Sequence, residues 1–327
     1  MEVNGYTKLR GLYLKAWHRF MEESGLNPRD DADYTVIAEE DGKFMASGSR
    51  CGSILKYIAV DPSAQGLGLT GTVFTWLAKD AFEHGIRHLF LYTKPKNSFL
   101  FEESHFYPVA KTESVLLMED KRDGIKNFID SLPMAKEGVS GAIVMNCNPF
   151  TRGHRYLIET AASQVDNLYL FVLSEDKSEF PAADRLELVK KGTADLENVT
   201  VLTTGDYLIS SATFPDYFLR QDTDVSAEQC ALDCSIFTQY YAPRLNITKR
   251  FAGTEPTSQV TDHYNRTMEK LLPKAGIEFI EIPRLESEGE PISAKRVRAL
   301  LRQGKAEELR KLVPDTTFVY LTENNLI

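Results

Sequence analysis

Hydrophobic and polar positions in the first third of the chain follow the short alternation that is typical of β-strands. One stretch instead repeats its apolar positions at helical spacing. The pattern predicts a compact α/β unit with strands at residues 34–39, 44–48, 53–60, 88–93 and 114–118 and a helix at residues 68–84. Residues 1–20 lack the continuous apolar core of a secretion signal, and we expect them to form a helix.

Residues 121–138, which contain Pro133 and Gly138, predict a helix followed by a linker. After them the order of the predicted elements changes. From there strands alternate with helices, which predicts a parallel sheet covered on both faces. The predicted strands are residues 141–146, 168–173, 199–203, 247–251 and 277–283, and the predicted helices are 154–165, 183–191, 227–241 and 260–272. We therefore expect one domain at residues 1–120, a linker at 121–138 and a second domain at 139–327.

Composition narrows the class of protein. The 327 residues carry a net charge of −9, so we expect no nucleic-acid partner, because such binding needs clustered basic residues. No apolar run approaches the roughly 18 residues that a membrane span requires. The four cysteines form neither a disulfide framework nor a metal-binding spacing, and Cys230 and Cys234 are expected to be packing residues. We expect a cytoplasmic enzyme without a metal site built from protein ligands.

The first predicted strand of the second domain runs directly into a candidate phosphate site. Thr151, Gly153 and His154 follow that strand and open a predicted helix whose apolar face packs on the sheet. The free N–H groups of a helix N-terminus suit phosphate, and Gly153 leaves space for it. The alternative interpretation is a simple turn in which Thr151 caps the helix.

A second candidate site lies far along the chain, where Ser293 is a good N-cap for another helix. Lys295, Arg296 and Arg298 crowd the first turns of that helix, and their charge opposes the helix dipole. Three cations at this position make physical sense if an anion binds there. The alternative is a solvated basic face.

The two clusters together resemble the (H/T)xGH and ISSTxxR motifs of the nucleotidyltransferase superfamily. The resemblance implies a Rossmann-like parallel-sheet nucleotidyltransferase domain at the C-terminus. It also implies that Thr151 and His154 contact the α and β phosphates of ATP, and that Ser293 and Arg298 hold the β and γ phosphates. Arg296 stands where that motif usually has a small residue, so its role is left unassigned.

Nearly the whole chain resembles a narrower family, the citrate lyase ligases. The resemblance rests on residues 148–159, 174–181 and 253–256, followed by Val260, Thr261, Tyr264 and Asn265. It implies that ATP, Mg²⁺ and acetate give acetyl adenylate and pyrophosphate, and that the acetyl group passes to the prosthetic thiol of the citrate lyase acyl carrier subunit. The nucleotide-binding residues that it implies are Asn148, Pro149, Phe150, Gly153, Gly253, Thr254, Glu255 and Ile292, with Lys177 and Lys295 as phosphate or acetate contacts. Taken alone, residues 253–256 would indicate only a tight turn.

The first domain carries a loop whose backbone N–H groups could cradle a pyrophosphate. This loop resembles the Q/R-x-x-G-x-G/A loop of the GNAT acetyltransferases and implies a GNAT-like mixed-sheet domain. The matching residues are Gln65, Gly66, Gly68, Thr70 and Gly71, with Thr70 where Gly or Ala is usual. The domain could hold the CoA-like prosthetic arm, deliver its thiol, or serve as a docking scaffold.

Three other functions stay open at this point. The Thr-x-Gly-His loop would equally support adenylyl transfer from ATP to a pantetheine or nucleotide phosphate. A binding protein with a nonproductive nucleotide pocket is another possibility, although the intact set of His154, Ser293 and Arg298 argues against it. Finally, the first domain could be a CoA-dependent acetyltransferase and the second an ATP sensor.

Overall fold

A computed structural model describes residues 1–175, 178–208, 214–219, 223–255 and 259–327. Contacts within the chain divide it into two units. The first comprises Met1–Ile125 and Phe214–Glu228, and the second comprises Lys126–Thr213 and Gln229–Ile327. The segment Phe214–Glu228 thus belongs to the first unit, whereas the sequence pattern predicted one continuous second domain.

The first unit is built on a mixed seven-stranded sheet in the order β1-β2-β3-β4-β5-β7-β6. Only β4 and β5 run parallel; the other neighbours are antiparallel. The strands are β1 (Glu2–Tyr6), β2 (Tyr34–Glu40), β3 (Lys43–Cys51), β4 (Ile54–Val60), β5 (Phe90–Thr93), β6 (Tyr107–Lys111) and β7 (Leu116–Glu119). The helices are α1 (Gly11–Glu23), α2 (Leu69–Glu83) and α3 (Ser98–Glu102), and α4 (Gly124–Ser131) crosses the boundary between the units.

Helix α2 forms the core of this unit because its apolar residues recur at helical spacing. Leu69, Val73, Leu77 and Ala81 lie on one face and are all buried. They belong to one cluster with buried residues from the sheet, including Val36, Ala46, Leu55 and Leu91. Burial of such aliphatic side chains is the main stabilising contribution to this half of the protein.

The expectation of a helix over residues 1–20 is wrong for its first part. Residues Glu2–Tyr6 form β1, which pairs antiparallel with β2, and the helix begins only at Gly11. The pairing partner lies more than twenty residues away, from Thr35 to Glu39. A pattern within residues 1–20 does not contain that information.

The added segment Phe214–Leu219 packs against β4 and β5. The ring of Tyr217 lies 4.6 Å from that of Tyr57 on β4, and its hydroxyl donates to the carbonyl of Tyr92 on β5 at 3.4 Å. The backbone of Asn27 donates to the Tyr217 carbonyl at 2.8 Å. These contacts explain why this stretch clusters with the first unit.

The second unit contains a five-stranded sheet in the order β10-β9-β8-β11-β12, and every neighbouring pair is parallel. Its strands are β8 (Ser140–Met145), β9 (Asn167–Val172), β10 (Val199–Thr203), β11 (Ile247–Gly253) and β12 (Glu278–Ile282), and a hairpin follows of β13 (Glu286–Ser287) and β14 (Glu290–Pro291). Its helices are α5 (Arg152–Ala162), α6 (Ala182–Gly192), α8 (Ala242–Leu245), α9 (Gln259–Leu271), α10 (Ala294–Arg302), α11 (Ala306–Arg310) and α12 (Asp315–Glu323). Helix α7 (Val225–Ile236) begins in the other unit and continues here into a π-helical turn (Phe237–Tyr241).

The order of the strands locates the crevice in which sheets of this kind usually bind their ligands. The chain moves from β8 through β9 to β10 on one side and later adds β11 and β12 on the other side. The carboxyl ends of β8 and β11 therefore flank the point at which the strand order reverses, which is the usual ligand crevice of such sheets.

Two apolar clusters hold the elements around this crevice. Ile158, Ala161 and Ala162 of α5 are buried against the sheet, as the helical spacing predicts. A separate cluster joins α10 to the C-terminal helices through Val297, Leu300 and other residues, namely Ile292, Leu309, Leu312, Val313 and Leu321. Across the described part of the chain, no helix combines the length and apolar character needed to cross a bilayer.

Candidate active site

Strand β8 ends at the crevice, and the loop that follows it leads into α5. Thr151 caps this helix, because its hydroxyl oxygen accepts the backbone N–H of His154 at 3.2 Å. The loop is fixed from the other side by Thr317, whose hydroxyl donates to the carbonyl of Phe150 at 3.1 Å. The backbone N–H of Arg152 donates to the carbonyl of Leu312 at 2.9 Å, so most N–H groups at this helix start already have acceptors. The N-terminus of α5 therefore offers the cavity the N–H of Gly153 and the ring of His154.

His154 is held in a defined chemical state. The backbone N–H of Thr151 donates to its Nδ1 at 3.1 Å, so the neutral ring carries its proton on Nε2. Burial and the nearby charge of Arg284 lower the pKa of His154 to about 4. The ring also stacks on Phe150, with 6.0 Å between centroids and 13° between planes. At neutral pH, His154 is thus an uncharged hydrogen-bond donor rather than a base or a cation.

The second predicted motif lies directly against the first. Ser293 caps α10 by accepting the N–H of Arg296 at 3.2 Å, and a guanidinium N–H of Arg298 donates to the carbonyl of Asn148. A Cβ added to Gly153 would lie 2.9 Å from the carbonyl oxygen of Ile292. Gly153 is therefore required here as much for the contact between the two motifs as for the approach of a ligand.

A third loop, at the end of β11, contains the predicted residues 253–255. Arg284, just beyond β12, donates to the carbonyl of Thr254 at 2.7 Å and forms an ion pair with Glu255. Buried Asn265 donates to the carbonyl of Gly253 at 2.9 Å. These contacts hold the loop in one conformation at the rim of the crevice.

All three segments open into one cavity of about 750 Å³, within the usual size range of small-molecule sites. Of the residues that the sequence indicated, nine line it: Asn148, Gly153, His154, Gly253, Glu255, Ile292, Ser293, Lys295 and Arg298. Pro149, Phe150, Thr151 and Thr254 lie in the same loops but are not among its lining residues. Lys177 lies outside the residues that the structure describes.

The sequence interpretation gave no site role to three residues that shape this site, although Asn265 was among the residues that carry the resemblance. Arg284 and Asn265 line the cavity and fix the third loop. Arg185 is fully buried and donates to the carbonyls of Asn146 at 2.8 Å and Leu173 at 2.9 Å, which ties together the ends of β8 and β9. Arg284 could have been found from its position directly after a predicted strand. Nothing in the sequence marks Arg185, because it lies inside an amphipathic helix.

The glycine loop of the first unit leads directly into α2. Gly66 and Gly68 both adopt positive φ, at 84° and 73°, and Gly68 is the residue before α2. Gln65 lies at the start of this loop, and Thr70 and Gly71 lie in the first turn of α2. A Cβ at Gly66, Gly68 or Gly71 would meet nothing within 4 Å, so the outer side of the loop is open.

The second unit is a nucleotidyltransferase-like domain, as its parallel sheet and its two motif-bearing helix starts, at Thr151 and Ser293, define. The first unit, which precedes it in the chain, is a GNAT-like domain. The sequence profile of the citrate lyase ligase C-terminal domain matches residues 140–321, and that of the acetyltransferase (GNAT) family matches residues 6–100. The citrate (pro-3S)-lyase ligase of Klebsiella pneumoniae is 41% identical over 316 residues, which cover 94% of this chain and 92% of that protein. The corresponding ligase of Escherichia coli (strain K12) is 40% identical over 311 residues, which cover 93% and 88%.

The chain belongs to the citrate lyase ligase family. This membership confirms the resemblance inferred from the sequence, the α/β fold class with its GNAT-like and parallel-sheet domains, and the enzyme class, a ligase. A phosphopantetheine adenylyltransferase of Streptococcus uberis is also similar, with 27% identity over 148 residues. That match covers 41% of this chain and 87% of the adenylyltransferase.

Proposed function

We propose that this enzyme activates citrate lyase by acetylating the prosthetic thiol of its acyl carrier subunit. Acetate and ATP first form acetyl adenylate and pyrophosphate; the thiol then takes the acetyl group and releases AMP. The observation that carries the proposal is the convergence of the starts of α5 and α10 on one cavity in a chain of this family. Use of ATP is also supported by that membership.

The phosphates of ATP would lie between the N-termini of α5 and α10. There the backbone N–H of Gly153, Nε2–H of His154, the hydroxyl of Ser293 and the cations Lys295 and Arg298 offer donors and positive charge. Thr151, which is almost fully buried, would act through His154 by fixing its ring and tautomer. The loop of Gly253, Thr254 and Glu255 would border the ribose and adenine.

The first chemical step needs position and electrostatics more than acid–base catalysis. An oxygen of the acetate carboxylate forms a bond to the α-phosphorus, and the bond from that phosphorus to the bridging oxygen of the β-phosphate breaks. Pyrophosphate leaves with the electron pair, and no proton is transferred. A neutral His154 suits this step, since a donor stabilises the growing negative charge and no base is required.

In the second step, the sulfur of the carrier thiol forms a bond to the acetyl carbon, and the bond from that carbon to the oxygen of AMP breaks. The thiol loses its proton to solvent. We propose that the open Gln65–Gly71 loop of the first unit binds the CoA-like prosthetic arm, because its positive-φ glycines leave open space where a phosphate-bearing arm can approach the backbone.

Magnesium would enter as the ion carried by the phosphates of ATP. The described residues contain no group of three His, Cys, Asp or Glu side chains able to hold a metal. The carboxylates of Glu179 and Glu255 near the basic residues are both paired with arginines. Mg²⁺ commonly binds through substrate phosphates, which fits this arrangement. A cytoplasmic location completes the proposal, in keeping with four free cysteines.

Adenylyl transfer to a phosphate acceptor is less well supported. The adenylyltransferase match covers 41% of the chain, whereas the citrate lyase ligases cover more than nine-tenths of it.

The test of the proposal uses purified enzyme, deacetylated citrate lyase carrier subunit, ATP, Mg²⁺ and acetate. Mass spectrometry should find one acetyl group on the carrier prosthetic thiol, formed only when both ATP and acetate are present. An AMP group on the carrier, or acetylation from acetyl-CoA without ATP, would contradict the proposal.

A further inference from the structure

The cavity is also lined by a buried arginine that the reaction described above does not use. Arg250 lies within β11, is 8% exposed, and lines the cavity together with His154. Its Nη1 has no hydrogen-bond partner among the residues that the structure describes. Its guanidinium carbon lies 4.7 Å from the centre of the Phe237 ring.

A buried guanidinium without an anion is costly, because burial removes its hydration and nothing replaces it. Asp233 also lines the cavity and is a candidate counterion for Arg250. Its carboxylate, however, already accepts a hydrogen bond from the Tyr264 hydroxyl at 2.6 Å. Burial also raises the pKa of Asp233 to about 7, so this side chain carries only part of a negative charge at neutral pH. The charge of Asp233 acts on Arg250 through space, but Nη1 of Arg250 has no acceptor within the described residues and is left for a ligand.

Several apolar side chains line the cavity together with Arg250. Phe237, Met268 and Leu272 are each at most 5% exposed and line the same cavity, together with the buried thiol of Cys234. A buried cation beside apolar side chains is suited to a small organic acid whose carboxylate pairs with the charge and whose alkyl group contacts the apolar side chains.

We propose that Arg250 binds the carboxylate of the acid substrate and that Phe237 and Met268 contact its methyl group. This inference deepens the proposed function and rests on it. The carboxylate keeps one oxygen for bond formation with the α-phosphorus of ATP, as in the step already described. The buried apolar side chains would also select acetate over longer acids, because added methylene groups would have to displace packed side chains.

The decisive experiment compares Arg250→Met with a matched control, Lys249→Met. Lys249 precedes Arg250 on β11 and lies 3.8 Å from Glu278, so the control removes the same charge from the same strand. Acetate-dependent ATP–pyrophosphate exchange is measured while acetate and ATP are varied in turn. For Arg250→Met, we expect the KM for acetate to rise about 10- to 100-fold, as loss of a charge-assisted contact predicts. The KM for ATP should stay near the wild-type value in both variants.

A second variant and a second measurement keep the inference testable if Arg250→Met does not fold. Arg250→Lys keeps the charge but not the planar fork and should show a smaller rise in the KM for acetate. Acetate should also raise the melting temperature of the wild-type enzyme relative to equal chloride, and this shift should be absent in Arg250→Met. If Arg250→Met does not fold, an unchanged KM for acetate in Arg250→Lys overturns the inference.

The outcomes separate this inference from the proposed function. Wild-type enzyme that shows no acetate-dependent exchange would contradict the function itself. Wild-type exchange with an unchanged KM for acetate in Arg250→Met would overturn the role of Arg250 alone. A rise in the KM for ATP instead would place Arg250 at the nucleotide and would also overturn the inference.

Discussion

Replacement of His154 tests the chemistry of the site most sharply. The structure makes this ring a neutral donor, since Nδ1 accepts the backbone N–H of Thr151 at 3.1 Å and the pKa is lowered to about 4. Loss of one preorganised donor to a developing charge typically costs about 10²- to 10³-fold in kcat, or about 3 to 4 kcal/mol of transition-state stabilisation. We therefore expect His154→Ala to lower kcat by that factor. His154→Gln, whose amide offers a donor near the position of Nε2, should retain part of the rate.

The pH dependence gives an independent check. A histidine with a lowered pKa is neutral above that value and gains its proton only as the pH falls through it. In a plot of the exchange rate against pH, the fall that protonation of His154 causes should therefore lie near pH 4, not near the ordinary histidine pKa of about 6.5. Any change in the exchange rate near neutral pH, at saturating ATP and acetate, should come from another group such as Asp233 and should persist in His154→Gln. The reasoning would be refuted by near-wild-type kcat in His154→Ala, or by a fall in the exchange rate near pH 6.5 that His154→Gln removes.

Three further substitutions test the supporting structure. In Gly153→Ala, the new Cβ would lie 2.9 Å from the carbonyl oxygen of Ile292. We expect a higher KM for ATP, and a loss of about 1 to 3 kcal/mol in the free energy of unfolding measured with denaturant. A variant with unchanged KM for ATP would count against the contact between the two motifs. Ser293→Ala removes the cap of α10 and should cost about 1 kcal/mol, whereas Ser293→Asp, which retains the cap, should recover stability but repel phosphate and bind ATP poorly. Arg185→Leu leaves the carbonyls of Asn146 and Leu173 without their donor, and we expect about 3 kcal/mol of destabilisation by thermal unfolding; the exposed Lys191→Leu is the control and should change little.

The strands and helices of the second unit could be predicted from the sequence because each is marked by the spacing of apolar residues within its own segment. Strands and helices alternate with clear periods, and the carboxyl ends of parallel strands meet at one edge. Motifs that directly follow strands, such as the one containing His154, therefore had to lie close together. The structure adds that Gly153 lies against Ile292, a contact that joins two distant segments.

The parts that the sequence did not predict depend on long-range partners. Strand β1 exists because residues Glu2–Tyr6 pair with β2, and Tyr217 is placed by its contacts with Tyr57 and Tyr92. Arg250 lies inside a strand directly after Lys249, and the sequence does not show which of these two cations lines the cavity. Three-dimensional packing supplies that information, and local periodicity does not.

The central claim is that this enzyme makes an acyl adenylate before any carrier takes part. The most direct measurement is ATP–pyrophosphate exchange with Mg²⁺, with and without acetate, and with no carrier subunit present. We predict exchange that requires acetate and falls sharply in His154→Ala. Exchange that is independent of acetate, or absent until the carrier is added, would contradict the account.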